Sequence, residues 1–324
     1  MNVIIPAAGI GSRLRPHTHT MPKSLLHVAG KPILGHILDT VTKLDPDGIT
    51  IVTGFLGDKI QRYVQDHYDC PTRFVEQDEL LGLAYAVSLA LEGLDERPVL
   101  IILGDTIIET DMNAFVAAGE NVLGVLPVDD PQRFGIANLD NGIVIRLVEK
   151  PESPESNLAI IGLYYVTDTA ELREHIKRLI ASGRTTRGEF QLTDALQSMI
   201  DHGIRFVGHP VEGWYDCGKR ETLIATNRYL LEKNRPNHTR EGSIIIAPTF
   251  IAPTAVVEAS IIGPYVSISD RAVVKSSIVK NSIIGYEAEV RNAMLKDSLV
   301  GHRAVVFGDF RELNVGDSSE IGYS

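Results

Sequence analysis

The last third of the chain carries a short repeat that few folds can accommodate. From Ser243 onward, β-branched apolar residues recur at intervals of about six among Ser, Gly, Ala and Asp. Three copies of one local pattern stand out: SIIG at 260–263, SIIG at 282–285 and SLVG at 298–301. This period does not suit an α-helix, but it suits a triangular solenoid in which each short strand buries one side chain. An antiparallel β-sandwich is the alternative, because its short strands can also be evenly spaced.

The first two thirds of the chain alternate short apolar runs with amphipathic stretches. The runs predict strands buried on both faces of a sheet, at 3–5, 49–52 and 99–103. The stretches between them have the apolar spacing of helices, at 33–43 and 84–91. This alternation predicts an α/β fold with a Rossmann-like, mostly parallel mixed sheet covered by helices.

The composition changes after a helix that the pattern predicts over 218–234. The next stretch, NRPNHTREG at 234–242, is polar, contains proline and glycine, and interrupts every periodicity. Such a stretch indicates a linker. We therefore predict a first domain at 1–233, a linker at 234–242 and a second domain at 243–324.

The composition excludes several classes of protein. The 324 residues are 44% hydrophobic and 23% charged, which is typical of a soluble globular chain. A net charge of -11 argues against a nucleic-acid surface, which needs clustered Lys and Arg. The two cysteines, Cys70 and Cys217, lie far apart without metal-ligand spacing, which fits a reducing compartment. Since no secretion signal or run of about 18 apolar residues is found, we expect a cytoplasmic protein without a membrane span.

A glycine-rich, cationic segment follows the first predicted strand. In AAGIGSRLRPHTHTMPK, residues 7–23, Gly9 and Gly11 predict an abrupt turn whose exposed N–H groups attract phosphate. A dinucleotide fingerprint would need a third glycine where Leu14 stands, and the Gly-Lys-Ser/Thr of a P-loop is absent. Arg13 and Lys23 can both fold back on a polyphosphate held by the turn. The alternative is a plain strand-to-helix turn with solvated charges.

Two aspartates indicate a metal site. Asp105 follows the run at 99–103, which places it at the carboxyl edge of a parallel sheet, where ligands of α/β proteins bind. Asp216 lies in WYDCG and is expected in a tight turn before Gly218. Two carboxylates with phosphate oxygens and waters are the ligands that Mg²⁺ prefers. On its own, Asp105 could equally be a helix cap or a turn residue.

A carboxylate and a cation adjoin in the stretch RLVEKP. Glu149 and Lys150 end an apolar run and are followed by Pro151, so we expect them at the end of a strand. Glu149 can accept hydrogen bonds from sugar hydroxyls, and Lys150 can meet a phosphate. Taken alone, the stretch also fits a solvated turn.

In combination, these motifs resemble the sugar-1-phosphate nucleotidylyltransferases, and most closely the glucose-1-phosphate thymidylyltransferases. The glycine-rich segment is followed, in the order of that family and across roughly residues 1–230, by EQDELLGLAYAV (76–87), LGD (103–105), FGIANLD (134–140), EKP (149–151), SNLAIIGLYY (156–165), RGEFQLTDAL (187–196) and WYDCGK (214–219). The C-terminal repeats resemble the left-handed parallel β-helix of longer members. The resemblance implies an enzyme that joins a nucleoside triphosphate and a sugar 1-phosphate with release of pyrophosphate, and that assembles as a homo-oligomer.

The resemblance also implies residue roles. Nucleotide-binding roles fall on Ala8, Gly9, Gly11, Ser12, Arg13, Gln77 and Gly82. Catalytic roles fall on Arg13 and Lys23, which would engage the nucleoside triphosphate and the leaving pyrophosphate, and on Asp105 and Asp216, which would hold Mg²⁺ as the cofactor. Sugar-phosphate-binding roles fall on Gly135, Glu149, Lys150, Asn157 and the backbone near Ile160.

The sequence also predicts which nucleotide base is bound, and it leaves two alternative functions open. The amide of Gln77 can pair with O4 and N3–H of a pyrimidine, and Gly82 allows close approach of the backbone, so we expect dTTP and UTP as substrates. A non-catalytic regulatory subunit is one alternative, although such a protein would first lose the metal aspartates or the loop cations. An added acetyltransferase activity is the other. It needs a general base, and His302 is the one histidine in the repeats, so an oligomerising or stabilising role is favoured.

Overall fold

The computed structural model describes residues 1–308, 315 and 318, and over this range the chain divides into two compact units. The first unit consists of Met1–His27 and Lys31–Thr226, and the second of Val28–Gly30 and the chain from Asn227 onward. The division therefore falls inside a helix, ahead of the predicted boundary at residue 233. The reason is that Asn227 belongs to the second unit by its contacts: its Oδ1 accepts hydrogen bonds from the Ala29 N–H at 2.8 Å and the Ser267 O–H at 2.6 Å.

A nine-stranded sheet forms the centre of the first unit, with strand order β5-β4-β1-β6-β11-β8-β12-β10-β9. The strands up to residue 216 are β1 (Asn2–Pro6), β2 (His27–Val28), β3 (Lys31–Pro32), β4 (Gly48–Thr53), β5 (Thr72–Glu76), β6 (Val99–Ile102), β7 (Thr106–Glu109), β8 (Asn121–Pro127), β9 (Gly135–Asp140), β10 (Ile143–Glu149), β11 (Leu158–Val166), β12 (Val207–Pro210) and β13 (Gly213–Asp216). The strands predicted at 3–5, 49–52 and 99–103 are confirmed as β1, β4 and β6, and their side chains are buried.

The sheet is mixed rather than mostly parallel, with four parallel and five antiparallel strand pairings, including one of β11 with β9. Strands β5, β4, β1 and β6 run parallel, and β12 is parallel to β8. By contrast, β11 is antiparallel to β6 and β8, and β10 is antiparallel to β9 and β12. The prediction was wrong here because it extended the strand–helix alternation of the first hundred residues. Antiparallel neighbours such as β9 and β10 need only a short hairpin and no crossover helix.

Helices cover the sheet. They are α1 (Ile33–Val41), α2 (Gly57–His67), α3 (Leu83–Leu91), α4 (Met112–Ala117), α5 (Thr169–Ser182), α6 (Leu192–Asp201) and α7 (Arg220–Asn234). The predicted helices at 33–43, 84–91 and 218–234 are confirmed as α1, α3 and α7, and a 3₁₀ turn at Thr42–Leu44 follows α1. Buried side chains of α3, α5 and α6 share one apolar core with β6, β8 and β11. In the part of the chain that is described, no helix has the length and apolar content to cross a bilayer.

Three parallel sheets of four strands make up the repeat region of the second unit. Its strands are β14 (Ile244–Ile245), β15 (Thr249–Ile251), β16 (Val256–Glu258), β17 (Ile261–Ile262), β18 (Val266–Ile268), β19 (Val273–Lys275), β20 (Ile278–Lys280), β21 (Ile283–Ile284), β22 (Glu289–Arg291), β23 (Met294–Lys296), β24 (Leu299–Val300) and β25 (Val305–Phe307). The chain visits the sheets in turn, so that every third strand returns to the same one, in the orders β14-β17-β20-β23, β15-β18-β21-β24 and β16-β19-β22-β25.

The strand register explains the period of the repeat. Ile251 pairs with Ile268, Ile268 with Ile284, and Ile284 with Val300, and all four are buried. Because every pairing described among these strands is parallel, the antiparallel sandwich is wrong. The topology is consistent with a three-sided parallel β-helix, and its left-handed coil stays a prediction.

Candidate functional site

Two cavities open along the carboxyl edge of the parallel strands in the first unit. The first has a volume of about 520 Å³ and is lined by the loop after β1, by Lys23 and by residues around the start of α3. The second has a volume of about 500 Å³ and is lined mainly by the ends of β9, β10 and β13 and by the middle of β11. Leu83, Leu103 and Asp105 line both. The cavities therefore meet at Asp105.

The glycine-rich loop forms one wall of the first cavity. Residues 7–12, which include Ala8, Gly9, Gly11 and Ser12, all line it. Gly11 has φ of +67°, and a Cβ there would lie 3.1 Å from the Cβ of Lys23. The turn therefore needs glycine, both for its left-handed backbone and for the close approach of Lys23.

Gln77 and Gly82 also line the first cavity. Gln77 follows β5, is buried, and donates one N–H of its amide to the Glu79 carbonyl at 2.9 Å. Gly82 precedes α3 with φ of +113°, and a Cβ there would lie 2.6 Å from the carbonyl oxygen of Phe190. This crowding and the positive φ both disfavour a larger residue at position 82, where the backbone lines the cavity.

Strand pairing brings Asp105 and Asp216 together. Strands β7 and β13 form a two-stranded antiparallel sheet in which Asp216 pairs with Thr106, the residue after Asp105. The ammonium of Lys23 lies 2.6 Å from Asp105 Oδ2 and 4.0 Å from Asp216 Oδ1. The prediction of a tight turn at Asp216 was wrong, because this residue ends a strand. The result is a buried cation within reach of two carboxylates.

The two carboxylates fit a hydrated magnesium ion. Among the described residues, no group of three or more His, Cys, Asp and Glu side chains could hold a metal. Magnesium, however, keeps several waters and is commonly bound by one or two carboxylates together with substrate phosphates. Asp105 and Asp216 supply such a pair of hard oxygen donors, and both side chains are partly accessible. Their chemistry therefore matches this ion when a phosphate substrate is present.

Cys217 lies next to the pair of aspartates and has a structural role. Burial raises the pKa of its thiol to about 12, and the carboxylates of Asp105 and Asp216 also raise it. The Cys217 N–H donates to the Asp105 carbonyl at 3.2 Å, and the thiol lies 3.7 Å from Thr226 Oγ1. The buried thiol therefore packs beside Thr226 and holds the segment after β13 in place.

Arg13 lies at the junction rather than in the first cavity. Its side chain lines the second cavity together with Asp216. A Cβ on Gly218 would lie 2.9 Å from the Arg13 Nη2 and 2.8 Å from Asp216 Oδ1. Gly218 therefore leaves the space in which the guanidinium and the carboxylate come close to each other.

Glu149 is fixed at the floor of the second cavity. It ends β10 opposite Gly135, the first residue of β9. Its Oε2 accepts a hydrogen bond from Thr193 Oγ1 at 2.8 Å, and its Oε1 lies 3.0 Å from Lys150 Nζ. A Cβ on Gly135 would lie 2.9 Å from Glu149 Oε2, so the carboxylate occupies the space that the glycine leaves. The predicted end of a strand at Glu149 is confirmed.

Lys150 and Ile160 complete the predicted residues of this cavity. Lys150 is a non-glycine residue with φ of +44°, held by hydrogen bonds from its N–H to the Phe134 carbonyl and from Arg187 to its own carbonyl. Such a backbone costs energy, and these two hydrogen bonds offset part of that cost. Ile160 lies where the pairing of β11 with β8 shifts register, which turns the following residues toward the cavity.

One predicted residue lies elsewhere. Asn157 is exposed, lines neither cavity, and uses its carbonyl to accept a hydrogen bond from the Val128 N–H at 2.9 Å. Asn157 directly precedes β11, and this backbone bond holds it beside the segment after β8. The structure therefore does not bring its side chain to the residues with which it was grouped.

Several cavity residues were missed by sequence reasoning. Arg15 and Ser24 line the first cavity, and Arg133, Thr193 and Trp214 line the second. Thr193 belongs to the motif RGEFQLTDAL, whose signal could have been used. Trp214 packs edge to face on Phe134 with ring centroids 4.9 Å apart, and its buried Nε1–H has no hydrogen-bond partner among the described residues. This indole is therefore a donor that a ligand can satisfy.

Comparison with known proteins identifies the family. The model of the nucleotidyl transferase family matches residues 2–233. The low-salt glycan biosynthesis nucleotidyltransferase Agl11 of Haloferax volcanii is 31% identical, over 99% of each chain. A glucose-1-phosphate thymidylyltransferase of Streptomyces griseus is 32% identical, over 88% of this chain and 87% of the relative.

A solved structure shares the fold. UDP-glucose pyrophosphorylase in complex with UDP-glucose aligns with a TM-score of 0.64 at 23% identity, over 72% of this chain and 98% of the other. This likeness concerns the fold, and the sequence comparisons above concern the family. The resemblance noted from the motifs is thereby confirmed, and the chain belongs to the nucleotidyl transferase family of enzymes.

Proposed function

We propose that this nucleotidyltransferase transfers a nucleotidyl group from dTTP or UTP to a sugar 1-phosphate, with glucose 1-phosphate as the leading candidate. The products are a nucleotide sugar and pyrophosphate. The observation that carries the proposal is the pair of cavities that meet at Asp105, with Lys23 beside both Asp105 and Asp216. The relative named glucose-1-phosphate thymidylyltransferase supports the choice of substrates.

The first cavity is assigned to the nucleotide. The loop at residues 7–12 offers backbone N–H groups to the triphosphate, and Lys23 adds a buried positive charge. Gln77 and Gly82, which line the same cavity, are assigned to the base. Arg13 lies at the junction, where the α-phosphate of the nucleotide and the phosphate of the sugar would meet.

The second cavity is assigned to the sugar phosphate. Thr193 and Lys150 hold the Glu149 carboxylate in one position, so that it can accept hydrogen bonds from sugar hydroxyls. Lys150 is about one-third exposed and can meet the phosphate as well as Glu149. The indole N–H of Trp214 provides a further donor on the same wall.

The proposed reaction is an in-line displacement. An oxygen of the sugar 1-phosphate, which is already anionic, attacks the α-phosphorus, and the bond from that phosphorus to the bridging oxygen of pyrophosphate breaks. No general base is needed, because the nucleophile carries no proton that must be removed. The barrier arises from the repulsion of two polyanions and from charge spread over the transferring group. Arg13, Lys23 and Lys150 lower it by holding both substrates and by fixed positive charge.

We infer that Asp105 and Asp216 would hold Mg²⁺. When bound, this ion neutralises charge on the phosphate oxygens. Lys23, whose side chain is nearly buried beside both carboxylates, limits their repulsion and fixes their positions. The spacing of the two carboxylates therefore depends on the pairing of β7 with β13 and on this one lysine.

The nucleotide preference follows from Gln77. The amide of Gln77 can pair with O4 and N3–H of thymine or uracil. Because an amide can also pair with adenine, we expect the larger purines to be poor substrates through their size and not through the amide alone. The methyl group that distinguishes thymine from uracil allows only about 1–3 kcal/mol of discrimination between dTTP and UTP, so we expect both to be used. A pyrophosphate-release assay with five nucleoside triphosphates and several sugar 1-phosphates tests the proposal. A preference for GTP or ATP over both pyrimidine nucleotides would remove the role given to Gln77.

We also propose that the chain self-associates through its repeat region. Ile244, Ile261, Ile278 and Met294 stack in register on one sheet, and each side chain is between 36% and 80% exposed. Such a straight apolar column matches a second copy of itself. Sedimentation of Ile261→Glu and Ile278→Glu should show smaller assemblies than the parent, and unchanged sedimentation would remove this surface from consideration. The cytoplasmic location expected from the sequence stays a prediction.

A further inference from the structure

Two arginines of the glycine-rich segment, two residues apart, line different cavities. Arg13 lines the second cavity, near Asp216, and Arg15 lines the first. Between them lies Leu14, which is almost fully buried and anchors the 3₁₀ turn at Ser12–Leu14. The two arginines therefore line different cavities although only one residue separates them.

The guanidinium of Arg15 is available to a ligand. Its backbone N–H donates to the Ser12 carbonyl at 3.3 Å, which closes the turn. The side chain is exposed, and within the described residues its guanidinium makes no ion pair or hydrogen bond. A cation held at a cavity mouth by a fixed backbone, without an acidic partner, is suited to binding an anion.

A second observation shows that this part of the cavity is built for a polar ligand. Ser24 lines the same cavity next to Lys23, and only 3% of the residue is exposed. Its Oγ is buried and has no hydrogen-bond partner in the described part of the chain. Since buried hydroxyls are nearly always paired, this group indicates a partner supplied by the ligand. Gln77 and Gly82, which are assigned to the base, line the same cavity.

We propose that Arg15 binds the β- and γ-phosphates of the nucleoside triphosphate and, after transfer, the pyrophosphate that leaves. This inference rests on the proposed function, because it takes the first cavity as the nucleotide site. The guanidinium can form two parallel hydrogen bonds to phosphate oxygens, which a lysine cannot reproduce. Arg15 thereby acts on the leaving group, whereas Arg13 acts at the phosphates that react.

Binding without turnover gives the direct test. Calorimetric titration of the full-length protein with pyrophosphate, in buffer containing Mg²⁺, is compared for the parent, Arg15→Ala and Arg15→Lys. We expect Arg15→Ala to raise the Kd for pyrophosphate about tenfold or more, since a charge-assisted pair is lost, and Arg15→Lys to recover part of the loss. The Kd for glucose 1-phosphate should change less than twofold in both variants.

Kinetics in the reverse direction separate the two ends of the site. There, pyrophosphate and the nucleotide sugar are the substrates, and only pyrophosphate carries the leaving phosphates. Arg15→Ala should raise the KM for pyrophosphate about tenfold and leave the KM for the nucleotide sugar nearly unchanged. Arg178→Ala is the matched control, because Arg178 is exposed on α5, pairs with Glu174 and lines neither cavity.

Three outcomes would overturn the inference. One is an unchanged affinity of Arg15→Ala for pyrophosphate, and another is an equal loss for pyrophosphate and glucose 1-phosphate. The third is a parent protein that binds no pyrophosphate. If the parent is active in the pyrophosphate-release assay and Arg15→Ala keeps the parent's affinity for pyrophosphate, only the role of Arg15 is refuted. A parent that is inactive with every pair of substrates refutes the proposed function itself.

Discussion

The junction of the two cavities and the buried column of the repeats, formed by Ile251, Ile268, Ile284 and Val300, are built in opposite ways. At the junction, Arg13 and Lys23 come from the glycine-rich segment, whereas Asp105 and Asp216 come from two other parts of the chain, and none of the four belongs to a repeated pattern. In the repeats, the same kind of side chain recurs at the same place on every turn, as the pairing of Ile268 with Ile284 illustrates. Chemistry is thus concentrated in irregular segments at strand ends, whereas stability in the repeats is shared among equivalent positions.

This difference predicts different responses to mutation. Nothing replaces Asp216, because only its strand ends opposite the residue after Asp105. A residue of the buried column, in contrast, has neighbours of the same type above and below, so its loss is a local defect in a stack. We expect substitutions at the junction to remove activity without unfolding the chain, and substitutions in the column to do the reverse.

The largest effect is expected for Asp216→Asn. This change keeps the shape of the side chain but removes half of the negative charge at the proposed Mg²⁺ site, so turnover should fall by roughly 10²- to 10³-fold. The unfolding midpoint should stay close to that of the parent. Asp66→Asn, at an exposed position on α2, is the matched control. Turnover within a few fold of the parent at saturating Mg²⁺ would show that Asp216 has another role.

Ile268→Ala tests the column. The side chain is fully buried in β18, so its truncation should lower the free energy of unfolding by about 2–4 kcal/mol through lost contacts and the cavity that remains. Turnover measured below the transition should change less than twofold. Ile278→Ala, on the next turn with a side chain 41% exposed, should cost much less. Equal destabilisation by both, measured by urea unfolding, would contradict the assignment of inner and outer positions.

Gly82→Ala tests whether close packing against Phe190 is what requires a glycine at position 82. Gly82 and Gly93 flank α3, and both have positive φ, but only at Gly82 would a Cβ collide with backbone, that of Phe190. We therefore expect Gly82→Ala to cost about 1–3 kcal/mol of stability and to raise the KM for the nucleotide. Gly93→Ala controls for the backbone strain alone. If the two variants behaved alike, the contact with Phe190 would not be the constraint.

Lys150→Ala gives the smallest effect of the four. Since Lys150 lines only the second cavity, we expect about a tenfold rise in the KM for the sugar 1-phosphate and little change in the KM for the nucleotide. Initial rates with each substrate varied in turn measure both constants. A parallel loss for the nucleotide would mean that the two cavities do not divide the substrates as proposed.

The sequence predicts local features of the site and misses those that depend on pairing. Asp105 and Glu149 could be placed at strand ends because buried apolar runs stop just before or at them. The approach of Asp216 to Asp105 could not be predicted, since it depends on which strand pairs with β7. Likewise, spacing alone cannot show that Arg13 and Arg15 line different cavities, or that Asn157 lies outside both.

The segment Val28–Gly30 has a consequence for recombining relatives of this protein. It lies early in the chain yet belongs to the second unit, where the Ala29 N–H bonds to Asn227 and a Cβ on Gly30 would collide with the ring of Phe250. A chimaera made with one crossover near residue 233 would join this segment, and the end of α7, to repeats with which they did not evolve. A graft that transfers 28–30 together with everything from Asn227 onward keeps those contacts intact. To exchange the repeat region, two separate segments of the sequence must therefore be replaced together, because both belong to one unit of the structure.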